Sequence, residues 1–165
     1  MSPAPHVGFT VGGAPLAVEA TRVLAVAPAA DVVPVPFARA CFPGVLLRLG
    51  RLVPIVDLAT VPSLWNAVPG TGGDQVVVLA AGEIEAGLLV RQVETLTPGS
   101  AEGDSGAAAA PSEVREAILW GAIRARGRDW GLLKVNTALA AAGLPAPPEP
   151  QGGSRVDGQE DPARG

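Results

Sequence analysis

The sequence predicts an all-β protein, a barrel or a sandwich built from about ten short strands. Short apolar runs rich in Val, Leu and Ile recur at roughly 8–12-residue spacing between Gly- and Pro-containing turns, a pattern typical of such folds. Helical patterns are few and short. Hydrophobic residues make up 48% of the chain and charged residues 17%, which is the composition of a packed globular protein.

The candidate strands span most of the chain. They are VGFTV (7–11), LAVEATRVLAV (16–26), DVVPVPF (31–37), VLLRLG (45–50), RLVPIVDL (51–58), QVVVLAA (75–81), IEAGLLVRQVETL (84–96), AILWGAIRAR (117–126) and WGLLKV (130–135). The alternate prolines of residues 31–37 predict an extended edge or connector, because proline cannot donate to a central ladder. Hairpin turns are predicted at Gly12–Gly13, at Gly82–Glu83 and around Gly127.

Three short stretches favour helix. Residues 111–117 (PSEVREA) carry an early Pro and acidic residues, which suits one or two helical turns. Residues 136–143 (NTALAAAG) predict a helix with Asn136 as its N-cap and Gly143 as its C-cap. Residues 60–65 (TVPSLW) suit a single turn. None of the three is long enough to organise the fold.

Two segments lack any apolar periodicity. Residues 98–110 (PGSAEGDSGAAAA) predict a flexible internal loop. Residues 145–165 are rich in Pro and Gly and hold Val156 as their one aliphatic side chain of the Val, Leu or Ile type. Such a segment buries too little apolar surface to offset its ordering entropy, so it predicts a disordered tail.

Charge and cysteine content exclude several classes of function. The net charge is −4, which argues against a nucleic-acid surface, because such a surface needs clustered Lys and Arg. Cys41 is the single cysteine, so no intrachain disulfide can form. The first residues show no signal-peptide pattern, and no unbroken apolar run reaches the roughly 20 residues of a spanning helix. We therefore expect a cytoplasmic protein without direct membrane insertion.

The chain offers little for catalysis. His6 and Cys41 could formally pair, but no third orienting group is evident, and each has a simpler role as a mobile surface histidine and a small buried side chain. One His and one Cys cannot build an ordinary zinc site. Phosphate-binding Gly motifs are absent. We predict no catalytic residue, no metal site and no cofactor, and thus a protein that is not an enzyme.

The string FPGVLLRLGRLVPIVDL, residues 42–58, resembles the sequence signature of the CheW family. That signature enters through Pro-Gly-Val, continues through Asn-Leu-Arg-Gly and ends in Val-Pro-(Val/Ile)-x-Asp-Leu. The positions that match it in type and spacing are Gly44, Val45, Gly50, Val53, Pro54, Ile55, Asp57 and Leu58. Further segments agree in order, from the first hairpin to the closing strand pair and small helix.

The resemblance implies a CheW-like domain over residues 7–142. Members of that family are chemosensory adaptors that fold as two small five-stranded β-barrels packed together, with a short C-terminal helix. They bind no cofactor, catalyse nothing, and link the cytoplasmic tips of methyl-accepting chemoreceptors to the regulatory domain of a CheA-type histidine kinase. Another CheW-like protein is a further possible partner. The abundant Ala, Gly, Pro and Arg indicate a GC-rich genome, which suits the second CheW-like protein of a myxobacterial Frz-type system.

The resemblance also implies which residues contact partners. These candidates are Gly44, Val45, Arg48, Gly50, Arg51 and Asp57. Each has a structural alternative: the glycines permit positive φ in turns, and Asp57 could cap the turn that follows it. Arg48 and Arg51 show no internal partner in the sequence and are expected at the surface. Among the aromatics, Trp65 is the one most expected to be exposed, whereas Trp120 and Trp130 are expected to pack the second barrel.

The chain departs from the family pattern at three positions. Leu47 and Leu49 stand where the family has Asn and Arg, and Lys134 stands where the family often has Asp. Arg48 lies one residue early, and in a strand this displacement turns a side chain to the opposite face. Three hypotheses follow: an ordinary receptor–kinase adaptor, a divergent adaptor that couples the kinase poorly, and an enzyme or ligand-binding barrel unrelated to signalling.

Overall fold

The computed structural model describes residues 4–70, 72–98 and 108–150. Most of the predicted flexible loop, residues 99–107, and most of the predicted disordered tail, residues 151–165, lie outside the described residues. The described helices are all too short or too polar to span a bilayer.

The described part of the chain is built from ten β-strands and one α-helix. The strands are β1 (His6–Val11), β2 (Ala14–Glu19), β3 (Val23–Pro28), β4 (Val33–Pro34), β5 (Gly44–Arg48), β6 (Arg51–Val56), β7 (Gln75–Ala81), β8 (Ile84–Leu96), β9 (Leu119–Ala125) and β10 (Arg128–Leu133). The helix α1 spans Val135–Ala142. Single 3-10 turns occupy Ala20–Arg22, Ala29–Asp31, Leu58–Thr60, Pro62–Leu64 and Glu116–Ile118. The prediction of a β protein with a short C-terminal helix is confirmed.

The strands form two curved sheets that share β8. The first sheet has the order β8-β1-β2-β10-β9, and the second has the order β3-β7-β8-β6-β5-β4. Most neighbours are antiparallel, but β2 runs parallel to β10 and β6 runs parallel to β8. The two-residue strand β4 adds a sixth strand to a sheet for which five were predicted.

A bulge in β8 lets one strand serve both sheets. Its first half pairs with β7 through Val90, and its second half pairs with β1 from Arg91 onward. The register with β1 shifts between Gly8 and Thr10, and Gln92 adopts a left-handed φ of 56° at this point. An extra residue of this kind bends a strand and increases its twist, so β8 turns from one sheet into the other.

Three apolar cores hold the sheets together. The largest lies between them and joins β1, β2, β7 and β8 to the 3-10 turns and α1; it includes Phe9, Leu79 and Leu139. A smaller core fills the second sheet around Leu46 and Ile55. A third lies inside the first sheet, around Leu96 and Trp130. The last two cores correspond to the two predicted subdomains.

Several local predictions differ from the structure. The predicted strand 16–26 is interrupted by the 3-10 turn Ala20–Arg22, where the Arg22 Nε donates to the carbonyl oxygen of Ala80 at 3.0 Å. The predicted helix 111–117 does not form: residues 112–113 make a turn, Val114 forms an isolated bridge with Trp65, and a 3-10 turn begins at Glu116. Tertiary contacts therefore override the local preference at both places.

Two tryptophan predictions were wrong. Trp65 is buried rather than exposed, and its indole N–H donates to the carbonyl oxygen of Leu58 at 2.8 Å. Trp120 is 55% exposed on β9, whereas Trp130 packs inside the first sheet as expected.

The helix α1 begins two residues earlier than predicted, because its N-cap is Lys134 and not Asn136. The Lys134 side chain makes no capping hydrogen bond, and Asn136 lies buried in the first turn. The Asn136 Oδ1 accepts from the Arg22 Nη2 at 2.5 Å, and its Nδ2 donates to the Pro148 carbonyl oxygen at 3.3 Å. The Asn136 side chain therefore makes tertiary hydrogen bonds instead of capping the helix. At the other end, Gly143 closes the helix in a left-handed conformation with φ 105°, as predicted.

The described start of the predicted tail makes specific contacts. Leu144 and Ala146 pack against the largest core, and Glu149 accepts hydrogen bonds from Thr137. Residues 145–150 therefore depart from the predicted disorder, because they bury apolar surface and donate or accept hydrogen bonds that their composition alone did not indicate.

Candidate functional site

The β5–β6 hairpin holds five of the six predicted partner-binding residues. Arg48 and Arg51 form its last cross-strand pair, so the connection is the two-residue turn Leu49–Gly50. Both turn residues have positive φ, 50° for Leu49 and 77° for Gly50. This is the pattern of a tight hairpin turn that normally carries Asn-Gly. The structural alternative for Gly50, a turn glycine, matches this geometry.

Position 49 lies in the turn and not in the strand. The expectation that Arg48 and position 49 point to opposite faces of one strand is therefore wrong, because the chain leaves the pleat after Arg48. Leu49 instead projects from the tip of the hairpin and is 82% exposed.

The hairpin presents apolar side chains to solvent. Leu47 lies opposite Leu52 and Val45 opposite Pro54, while Val33 on β4 pairs with Val45. Directly paired residues of an antiparallel ladder share a face. The inward residues of the same strands, such as Leu46, are buried. We call the outward set, Val33, Val45, Leu47, Leu52 and Pro54, the outer apolar face.

Exposure distinguishes this face from ordinary surface. Val33, Leu47 and Leu52 are 57%, 66% and 69% exposed, and the hairpin tip Leu49 adjoins them. A contiguous apolar patch of this kind is typical of a surface that another protein covers. The sequence carried a signal for it: residues 45–56 are apolar on both strand faces, the pattern of a strand buried on both sides.

Glu85 pairs with both arginines of the hairpin. Arg48 Nη1 lies 3.0 Å from Glu85 Oε1, and Arg51 Nη1 lies 3.7 Å from Glu85 Oε2. The Arg48 and Glu85 side chains are only 21% and 19% exposed, whereas that of Arg51 is 66% exposed. Arg48 therefore has an internal partner that the sequence did not reveal. Two cations sharing one anion leave about one positive charge over at Arg51, near the hairpin tip and on the sheet face opposite the outer apolar face.

Asp57 caps the 3-10 turn that follows β6. Its Oδ1 accepts from the Ala59 N–H at 3.1 Å, and the residue is 8% exposed. Burial raises the pKa of Asp57 above its ordinary value, and the bond from Ala59 partly offsets this. Asp57 follows the end of β6 that is remote from the Leu49–Gly50 turn, roughly five residues of about 3.3 Å each. Asp57 therefore caps a turn, which is the structural alternative stated for it, and it does not lie beside Arg48 and Arg51.

Gly44 is required by close packing and not by positive φ. A Cβ on Gly44 would lie 2.3 Å from the carbonyl oxygen of Val33. The interpretation of Gly44 as a turn glycine was therefore wrong. Its role is to let β4 approach β5.

Lys134 follows β10 of the other sheet and lies apart from the hairpin. Its Nζ stands 4.6 Å from the centre of the exposed Trp120 ring, a cation–π geometry. Its backbone N–H donates to Ile118 at 2.7 Å where β10 leads into α1. The three departures from the family pattern thus fall on two surfaces, with Leu47 and Leu49 together and Lys134 separate.

Two further exposed features were missed by the sequence analysis. Phe37 is fully exposed with a left-handed φ of 65°, just beyond β4. An open groove of about 450 Å³ lies on the connection between β6 and β7, and Val68 on its rim is 97% exposed. Its lining residues are Ala59, Thr60, Pro62, Trp65, Asn66, Ala67, Val68 and Pro69.

His6 and Cys41 have separate surroundings. Cys41 lies in the largest core, with its Sγ 3.7 Å from the carbonyl oxygen of Ala142. His6 is buried at the start of β1, with Nδ1 2.9 Å from the carbonyl oxygen of Ala4, so the expectation of a mobile surface histidine was wrong. Among the described residues, no three His, Cys, Asp or Glu side chains lie together as metal ligands would.

Comparison with known proteins identifies the family. Residues 5–142 match the family model described as the CheW-like domain. A search of curated proteins returned no significant match. Among solved structures, the scaffolding protein TtCheW from Thermoanaerobacter tengcongensis is similar, with 16% identity, a TM-score of 0.65, and coverage of 84% of this chain and 88% of that chain. At 16% identity the structural similarity supports the fold alone. The family model, in contrast, matches most of the sequence. The chain belongs to the CheW-like domain family.

Proposed function

We propose that this protein is a non-catalytic chemosensory adaptor that binds the regulatory domain of a CheA-type kinase through the outer apolar face. The proposal is carried by one observation: an apolar sheet face, more than half exposed at Val33, Leu47 and Leu52, is formed by the hairpin that bears the family signature together with β4 beside it. Such an adaptor would act in the cytoplasm, where receptor tips and kinase meet.

The physical basis is the cost of leaving this face in water. Burying a Leu side chain stabilises an association by about 1.5–3 kcal/mol relative to exposure, before the entropy of binding is subtracted. The surplus positive charge on Arg51 lies at the tip of the same hairpin, so a partner that covers the outer apolar face and reaches around the tip should carry an acidic residue there. Charge complementarity of this type mainly sets orientation and the rate of encounter.

The groove beside Trp65 suits a different partner. It is open and apolar, with Val68 on its rim, and it lies on the connection between β6 and β7. Amphipathic helices bind such grooves through residues at helical spacing. We assign a helical segment of the receptor tip to the groove and the kinase domain to the outer apolar face.

The two assignments are tested by reciprocal variants. Leu47→Asp places an uncompensated carboxylate in the outer apolar face and should weaken binding of the kinase regulatory domain at least about tenfold. Val68→Asp makes the same change on the groove and should weaken binding of the receptor tip alone. Calorimetric titration of each variant against each partner separately gives four dissociation constants to compare with those of the wild type. Each variant serves as the control for the other. Loss of both partners in either variant, or of neither, would contradict the assignment.

A second candidate function is a divergent adaptor that binds the receptor or a sister adaptor but couples the kinase poorly. Leu47 and Leu49 favour it, because both are exposed where the family has Asn and Arg. The double variant Leu47→Asn with Leu49→Arg separates the two candidates. If apolar burial drives kinase binding, the double variant weakens it. If the missing polar groups limit coupling, the same change strengthens kinase binding and leaves receptor binding unchanged.

A further inference from the structure

The residues after α1 lie closely against the domain. Residues 144–150, which we call the C-terminal strap, cross the first turn of α1 and the turn between β7 and β8. Leu144 and Ala146 pack on the largest core. Pro147 covers Gly82, where an added Cβ would lie only 2.6 Å from the proline ring.

Glu149 fastens the end of the strap to α1. Its Oε2 accepts from the Thr137 backbone N–H at 2.5 Å and from the Thr137 hydroxyl at 2.7 Å. Thr137 is the third residue of the helix, so its N–H has no partner within the helix, and the positive end of the helix dipole attracts the carboxylate. Glu149 therefore does from outside the helix what an N-cap residue usually does from its start.

Asn136 and Arg22 hold a second point of attachment. The Asn136 amide donates to the Pro148 carbonyl at 3.3 Å, and its oxygen is fixed by Arg22 at 2.5 Å. Arg22 in turn donates to the carbonyl oxygen of Ala80 on β7. The strap is thus joined to α1 and, through one arginine, to the edge of the strand that leads into the β7–β8 turn.

When the strap lies against the domain, one of its hydrogen-bond acceptors is buried without a partner among the described residues. This acceptor is the second carboxylate oxygen, Glu149 Oε1. A buried acceptor without a partner offsets part of the stabilisation that the bonds to Thr137 provide. The four prolines of the strap limit its conformational freedom when it is open, so closing it again costs little entropy.

We propose that the C-terminal strap is a releasable element, latched by Glu149, that opens to expose the first turn of α1 and the β7–β8 turn while the domain stays folded. This proposal is independent of which partners the outer apolar face and the groove bind. It requires that the strap open at a lower free energy than the one needed to unfold the sheets.

Amide hydrogen exchange followed by NMR tests the proposal in the full chain. The Thr137 amide reports the strap, and the amide of buried Val77 on β7 reports the sheets. In the wild type, Thr137 should be protected yet exchange at least about tenfold faster than Val77, because local opening precedes global unfolding. Glu149→Ala should accelerate Thr137 exchange about tenfold further, the effect of losing one helix cap, and leave Val77 unchanged.

A matched variant separates the latch from a general charge effect. Glu83→Ala removes a carboxylate from the exposed turn beside the strap and should leave both amides unchanged. Equal protection of Thr137 and Val77 in the wild type would show that the strap is a fixed part of the fold. The proposal is also overturned if Glu149→Ala leaves Thr137 exchange unchanged, or if it accelerates Val77 as much as Thr137.

Discussion

Two residues of the same type have different surroundings in the β5–β6 hairpin. Arg48 and Arg51 look alike in the sequence, but the structure separates them: Arg48 is mostly buried against Glu85, and Arg51 remains exposed near the hairpin tip. The ion pair of Arg48 joins residues 37 apart in the chain, so no local pattern could have indicated it. Of the two arginines, Arg51 is the one that a partner can reach.

Asp57 gives a prediction for stability against pH. Because burial raises the pKa of Asp57 in the folded state above 3.8, the contribution of its protonated form is fully present below that value and is lost as pH rises through the folded pKa. Asp57→Asn removes the buried charge and keeps an oxygen that can accept from Ala59. The free energy of unfolding of the wild type minus that of Asp57→Asn should therefore decrease as pH rises from about 3 to 7.

Urea denaturation of both proteins at a series of pH values provides the measurement. Asp57→Ala is the control, since it also removes the cap and should be less stable than Asp57→Asn by about 1 kcal/mol at every pH. A difference between wild type and Asp57→Asn that is constant with pH would contradict the prediction.

At the scale of elements, the hairpins were the most predictable parts of the fold. Each contains its two strands and its turn within a short stretch, as in Gly12–Gly13, Gly82–Glu83 and Arg126–Gly127, so local residue chemistry decides it. The interruption at Ala20–Arg22 and the bridge of Val114 to Trp65 depend on distant contacts and were not predicted. The outer apolar face lies between these cases: Val45 and Pro54 were identified in the signature and Leu47 as a departure from it, but the exposed face that they share was not predicted.

The Leu49–Gly50 turn carries an unfavourable side chain at a strained position. A non-glycine residue with left-handed φ lowers the free energy of unfolding by roughly 1–2 kcal/mol. Asn lowers it least, because its short side chain can form local hydrogen bonds. Leu49→Asn should therefore raise the free energy of unfolding by about 1 kcal/mol, measured by thermal or urea denaturation. Leu47→Asn, the same replacement in the adjoining strand, should not raise it. Equal effects at both positions would argue against strain at Leu49.

At the scale of the whole molecule, β8 makes the two sheets one folding unit. The strand pairs with β7 and β6 up to Val90 and with β1 from Arg91 onward, and the largest core lies between the sheets. The number of strands could be predicted from the sequence. The parallel pairings and the shared strand could not, because they join elements remote in the chain.

Sharing of β8 predicts a single cooperative unfolding transition. Leu96 lies on β8 in the core of the first sheet, and Leu96→Ala should destabilise the protein by about 2–5 kcal/mol. If the sheets unfold together, the exchange protection of Val78 in the second sheet should fall by the same factor as that of Trp130 in the first. Trp120→Ala, at an exposed position of the edge strand β9, should change neither. A loss confined to Trp130 would show that the sheets unfold independently and that the bulge at Gln92 acts as a hinge between two separately stable halves.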